Sequence, residues 1–291
     1  MKEARAVVFV LAGATLLGSL GAWGRAVYRY EPDPLIVVTW RALVGTGALA
    51  ALLAVFRPAC LRIRRTDIPF FLLYGLTGVA LNFWSYFSAV KYTSLAVAIT
   101  LLYTYPVFVA LVAALAFKER LSPAKVGAIG LTLLGAALVA QAYRADLLQL
   151  NSRGIAFGLV TGLSMAAYSL LGKWAVARYA PWTVVLYAFM AGSVFLAAGS
   201  GWRLLAAAHY PAAAWLWILG LALIPSVGGY ALFTLGLRDL PASRASVVAT
   251  WEVVTAAGIG WVVFREHLAS LQIAGAALVC LGIAWIERGE H

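Results

Sequence analysis

The chain has 291 residues, of which 64% are hydrophobic and 11% charged, with a formal net charge of +11. Soluble domains carry about 25% charged residues, so this composition excludes a water-soluble fold and makes lipid the solvent. The hydrophilic stretches are too short for a soluble catalytic or nucleic-acid-binding domain, and the basic residues lie between apolar segments, where they set topology.

A spanning helix needs roughly 20 apolar residues to cross a hydrocarbon core of ~30 Å. In chain order, segments of that length run over 6–28, 34–56, 68–90, 94–117, 123–143, 154–177, 181–199, 213–236, 242–264 and 269–287. The first opens like a signal peptide at Lys2-Glu3-Ala4-Arg5. It continues to about Tyr28 without an Ala-x-Ala-like site, so it reads as a span. Breakers separate the later segments at Glu31-Pro32-Asp33-Pro34, Arg57-Pro58, Ser122-Pro123, Ala180-Pro181, Tyr210-Pro211 and Leu240-Pro241. The predicted fold class is therefore all-α integral membrane, with ten transmembrane helices.

Basic residues decide the orientation. With the N-terminus inside, Lys2, Arg5, Arg57, Arg62, Arg64, Arg65, Lys118, Arg120, Lys125, Lys173, Arg178, Arg238, Arg244 and Arg288 all fall inside. They outweigh Arg25, Arg29, Lys91, Arg144, Arg153, Arg203 and Arg265 on the other side. Both termini are predicted to be cytoplasmic, in a bacterial-type inner membrane. Cys60 sits in a basic loop and Cys280 inside the last segment, so neither a disulfide nor a metal site is predicted.

The chain repeats itself. A shift of 147 residues lays Phe117-Lys118-Glu119-Arg120-Leu121 on Phe264-Arg265-Glu266-His267-Leu268 without a gap. The same shift pairs Pro34 with Pro181, Val37-Val38 with Val184-Val185, Gly45 with Gly192 and Gly135 with Gly282. Two five-helix repeats are predicted, over 1–147 and 148–291. A unit with an odd number of helices enters the membrane in opposite senses in its two copies, which is inverted-topology symmetry. Elsewhere that symmetry places substrate near the midplane between the repeats.

Polar residues inside the spans point to the site. A charged side chain at a helix centre costs about 2.5–3.5 kcal/mol on insertion scales. Glu252, in Thr250-Trp251-Glu252-Val253, lies deep in the ninth segment, and Arg41 lies about two turns into the second. Either a site role or an interhelical bond accounts for Glu252, while Arg41 has snorkelling to the interface as its rival explanation. Glu252 is the only sensible proton carrier should transport be coupled. Lys173 reads as a snorkelling lysine at the inner end of its helix.

Ser19 and Trp23, Asn82 and Tyr86, Ser164 and Tyr168, and Ser226 and Tyr230 are each four apart, so each pair shares a helix face. These four helices are predicted to line one polar-aromatic cavity, completed by Tyr103, Tyr105 and Trp251. Tyr28, Tyr30, Trp202 and Trp285, at segment ends, suit an interfacial belt. Gly154, Gly158 and Gly162 form one close-packing face. Pro106, Pro225, Gly228 and Gly229 are candidate gating positions.

These features resemble the drug/metabolite transporter superfamily, in its EamA-type branch of two five-helix repeats. Tyr105-Pro106-Val107, Lys118-Glu119-Arg120-Leu121 and the glycines from Gly127 to Gly135 match the first copy of the family pattern. Glu252-Val253-Val254 and Arg265-Glu266-His267-Leu268 match the second. Val253 stands where the family often has proline, and Ala188 is the repeat mate of Arg41. Ala166-Ala167-Tyr168 followed by Lys173 resembles the YddG-type amino-acid exporters.

The resemblance implies export of amino acids or similar small metabolites by alternating access, without a cofactor. Its partners are then a small-molecule substrate and the lipid bilayer, and not nucleic acid. Drugs or other metabolites are the alternative cargo. An intramembrane enzyme is the remote alternative, because His209, His267 and His291 lie at loops or the terminus without a deep carboxylate beside them.

Overall fold

A computed structural model describes residues 2–147 and 151–289, and among them the fold is ten helices. They are α1 (Lys2–Val27), α2 (Pro34–Phe56), α3 (Arg65–Tyr92), α4 (Leu95–Ala116) and α5 (Pro123–Val139) in the first half. The second half holds α6 (Ser152–Val176), α7 (Pro181–Leu205), α8 (Ala212–Asp239), α9 (Ala242–Phe264) and α10 (Ser270–Arg288). The expected boundary between the repeats, at 147/148, touches 148–150, which lie outside the described residues.

Several prolines read as breakers are helix starters. Pro34, Pro123 and Pro181 each occupy a first-turn position, where the missing N–H costs nothing because no carbonyl precedes it. Asp33, Ser94, Ser122 and Asn151 cap α2, α4, α5 and α6 by accepting a backbone N–H.

The two halves carry the same irregularities at the same offset. Helix α3 loosens into a π-helical stretch at Gly75–Ala80, and α8 does so at Ala222–Gly229. In α8 the cause is partly chemical: Pro225 has no N–H for the Leu221 carbonyl, and the Ser226 hydroxyl donates to that carbonyl instead, at 2.7 Å. Helix α4 breaks after Leu102 and restarts at Tyr105, and α9 breaks after Ala249 and restarts at Trp251. The break in α9 forms one turn before Val253, so it needs no proline there.

Each helix packs mainly on a helix of the other half. The most intimate pairs are α5 with α10, α1 with α8 and α3 with α6. Backbones nearly touch where α1 crosses α8: a Cβ on Gly13 would lie 2.8 Å from the Gly229 carbonyl. At α5 and α10 a Cβ on Gly135 would lie 2.6 Å from the Gly275 carbonyl. In lipid, where apolar surface gives helices little reason to associate, such close packing is the main attraction. Hydrogen bonds supplement it: Thr39 with Ser200 at 2.9 Å, Ser85 with Thr161 at 2.9 Å, and Gln272 to the Val139 carbonyl at 3.0 Å.

Candidate functional site

The breaks in α4 and α9 meet at mid-span and divide both helices into half-helices that behave differently. On the face that carries both termini, Tyr105–Ala116 of α4 packs closely against Ala242–Ala249 of α9. The Tyr105 hydroxyl donates to the Ser246 carbonyl at 2.8 Å, and Ala110, Ala128, Ile129, Val247 and Ile286 form a small apolar cluster below it. On the opposite face the other halves, Leu95–Leu102 and Trp251–Phe264, barely touch. Trp251, Glu252 and Val254 stay half-exposed there.

The closed face is held by charge. Glu119, in the turn after α4, accepts from the Ala242 N–H at 3.0 Å, from the Ser243 hydroxyl, and from Lys125 at 3.4 Å. It thereby caps the N-terminus of α9 from the other repeat, where a carboxylate also meets the positive end of the helix dipole. Arg244, 3% exposed, reaches Glu287 at 2.7 Å and Glu3 at 3.1 Å, tying both chain ends to α9. Lys173 does not snorkel. It donates to the carbonyls of Leu237, Arg238 and Leu240 at 2.9, 3.2 and 2.6 Å, closing the C-terminal end of α8 against α6.

Aromatic and charged groups gather near the breaks, and the exposure of Glu252 within them marks a cleft. Tyr168 is fully buried, with ring centroids 4.9 Å from Tyr230 and 5.2 Å from Tyr74, and its hydroxyl bonds Thr234 at 3.4 Å. Tyr103 and Tyr230 are each 6% exposed, and Tyr86 is half-buried. Arg41, 7% exposed, lays its guanidinium 4.1 Å above the Phe83 ring. Glu252 is enclosed by protein yet keeps solvent-accessible surface, as a group lining an internal cleft does. It lies in electrostatic range of Arg41, Tyr86, Tyr103, Tyr105 and Tyr230. Tyr28, expected in an interfacial belt, stays 37% exposed at the end of α1 and lies in electrostatic range of Arg41.

Not every predicted residue joins this group. Trp23 turns away to α8, packing over Gly220 and edge-on to Trp217 at 5.7 Å. Trp251 donates to the Thr15 hydroxyl at 3.1 Å on α1. Asn82, buried, donates to the Thr161 carbonyl at 3.1 Å and so ties α3 to α6 at the edge of the cleft. Ser164 is buried in α6, one turn before Tyr168. Pro106 opens the second half of α4, and Pro225 lies in the π-helical stretch of α8. Gly228 and Gly229 face Leu16 and Leu17 of α1, where they permit close packing. Phe83 and Glu119 were missed as parts of the site: Phe83 reads as an ordinary apolar residue, and Glu119 reads as a repeat marker.

A cavity of about 360 Å³ lies at the termini face and is lined by Arg64, Asp67, Arg178 and Tyr179. Its acid is already engaged by the Tyr179 hydroxyl, and Arg178 stacks on Trp174 at 3.9 Å. Those bonds join the α2–α3 and α6–α7 connections. Among the described residues no cluster of potential metal ligands occurs.

The description "EamA-like transporter family" matches residues 4–141 and 152–288. The chain belongs to the EamA-like transporter family. An uncharacterized transporter of Archaeoglobus fulgidus is 32% identical over 96% of this chain and 95% of its own length. The pseudopaline exporter CntI of Pseudomonas aeruginosa is 27% identical over 87% of each chain. The threonine/homoserine exporter RhtA of Salmonella typhimurium is 28% identical over 81% of this chain and 76% of that one. One crystal structure superposes with a TM-score of 0.81 over 97% of this chain and 96% of that one, at 18% identity, and so shares the fold. This EamA-like protein is thus an all-helical, two-repeat membrane transporter with exporters among its relatives.

Proposed function

We propose that this transporter exports amino acids or similar small metabolites across a bacterial-type cytoplasmic membrane by alternating access. The observation that carries the reading is the unequal closure of one cleft. The half-helices of α4 and α9 are sealed on the termini face and parted on the other, around a polar-aromatic centre. A carrier exposes a central site to one side at a time, and inverted repeats supply two matching gates for doing so. With both termini cytoplasmic, as the basic residues indicate, this is the outward-open state. The repeats over 1–147 and 148–291 then exchange their degrees of closure to reach the inward-open one.

Substrate is held by Tyr86, Tyr103 and Tyr230, with Tyr168 backing Tyr230 from behind, Asn82 and Ser164 at the margin, and Arg41 and Glu252 supplying charge. Trp23 and Trp251 flank the path along α1. Pro106 and Pro225 sit where the helices bend as the gates exchange, and Gly228 and Gly229 let α8 slide on α1. Catalysis has no part in this reading, which follows relatives that are transporters and exporters. Two relatives, named as exporters of threonine/homoserine and of pseudopaline, support both the direction and an amino-acid-like cargo.

The test is counterflow in proteoliposomes containing the purified protein, read with a panel of labelled amino acids. Saturable flux that unlabelled amino acids inhibit is expected. Flux no greater than that of empty liposomes, from correctly folded protein, overturns the amino-acid reading.

A further inference from the structure

We infer that the cleft takes a dipolar ion, whose carboxylate is received by Arg41 of the first repeat and whose ammonium is received by Glu252 of the second. The inference rests on the transporter reading above and adds the charge pattern of the cargo.

Arg41 is the anomaly that points there. It is 7% exposed, and its Nε and one terminal nitrogen, Nη2, are buried with no hydrogen-bond partner. The buried cations Arg244 and Lys125 are satisfied, by Glu287 and Glu3 and by Glu119, and the half-buried Lys173 by three carbonyls. The protein therefore has the means to pair a structural cation, and it leaves this one open. An unpaired guanidinium away from water is costly, so its retention calls for a visiting partner. Phe83 covers the flat face of the guanidinium at 4.1 Å, and the Nε–Nη2 edge is buried without a bond, so a cargo reaches it as the surrounding side chains part. That edge presents N–H groups in a fork that matches a carboxylate in bidentate fashion.

Glu252 completes the pattern. Among the described residues no hydrogen bond or ion pair reaches its carboxylate, although Arg41 is in electrostatic range. Opposite charges that share a cleft without closing on each other leave room for a molecule carrying both. A monocarboxylate leaves Glu252 unanswered, a simple amine leaves Arg41 unanswered, and an uncharged drug answers neither. A zwitterion answers both. The rings of Phe83, Tyr86, Tyr103 and Tyr230 then surround the body of the cargo. Because α2 and α9 belong to different repeats, such a cargo also bridges the two halves that must move against each other.

The experiment measures binding to wild-type protein in lipid nanodiscs by calorimetry. The probes are the twenty common L-amino acids, followed by the methyl ester and the N-acetyl derivative of the tightest. Wild type is expected to prefer the free amino acid at least about tenfold over either derivative. Arg41→Met is expected to bind acid and ester equally while keeping its preference for the free amine, and Glu252→Gln is expected to do the reverse. Arg41→Lys keeps the charge without the fork and is expected to recover part of the preference for the acid.

A merely structural Arg41 is separated by thermal unfolding. Arg41→Met removes an unpaired buried charge, so it is expected to hold or raise the unfolding temperature, whereas loss of a structural bond lowers it. Equal binding of acid and ester by wild type overturns the inference, and so does a preference for the acid that survives in Arg41→Met. If no amino acid binds, counterflow with labelled organic cations and sugar nucleotides separates the two failures. Flux of those solutes retains the carrier and removes the dipolar cargo, and no flux removes both.

Discussion

Two turns in this molecule have nearly the same sequence and the same backbone, yet different company. Phe117–Leu121 follows α4, and Phe264–Leu268 follows α9. Lys118 and Arg265 both adopt the left-handed conformation, at φ 56° and 55°. The next amide in each returns to a carbonyl of the last turn, Glu119 to Ala113 at 3.2 Å and Glu266 to Gly260 at 3.1 Å. Such helix ends are local devices that satisfy orphan carbonyls. Beyond the backbone the likeness ends. Glu119, its side chain 13% exposed, caps α9 across the repeat boundary, whereas Glu266, 47% exposed, pairs with Arg25 at 2.7 Å. Local sequence sets the turn, and the surrounding helices set the partner of its glutamate.

That contrast has consequences that mutation can break. The largest effect is expected from Glu119→Ala, which removes the acceptor of Ala242, Ser243 and Lys125. Breaking a buried charged pair costs about 3–5 kcal/mol, so the thermal unfolding temperature in detergent should fall sharply. An unchanged temperature would mean that the closed face is held by packing alone. Next comes Lys173→Met. Its mate on the open face is Ala26, so this latch exists on one face only. Charged hydrogen bonds contribute roughly 1.5–3 kcal/mol, and a stability loss in that range is expected in denaturant titrations. A neutral result would return Lys173 to the snorkelling role. The smallest effect belongs to Glu266→Ala. Exposed ion pairs are worth about 0–1 kcal/mol, so its unfolding midpoint should stay near that of wild type. A loss as large as that of Glu119→Ala would show that both turns are clamped alike.

The ten spans and the two repeats were readable because lipid imposes length and because the Phe-basic-Glu-x-Leu turn is rare enough to align on. Arg41 and Glu252 stood out for the cost of charge at that depth. What could not be read is rotation about the helix axis. A spacing of four puts Ser19 and Trp23 on one face without saying which neighbour that face meets, and Trp23 meets α8 at Gly220. Likewise a lysine near a helix end looks the same whether it reaches water or, as Lys173 does, three carbonyls of another helix. The π-helical stretch at Gly75–Ala80 left no mark either. Its mate in α8 contains Pro225, but α3 reaches the same geometry with no proline in that stretch.

The contact between α5 and α10 has the form of a subunit interface. Gly135 meets the Gly275 carbonyl, and Gly282, the repeat mate of Gly135, meets the carbonyl of Ala128, the mate of Gly275. The interface is thus isologous, the same patch used twice about a two-fold axis, as in a dimer of identical subunits. A surface of this kind suits the pairing of a five-helix unit with an inverted copy of itself. The joining peptide then contributes proximity, and recognition resides in the glycines.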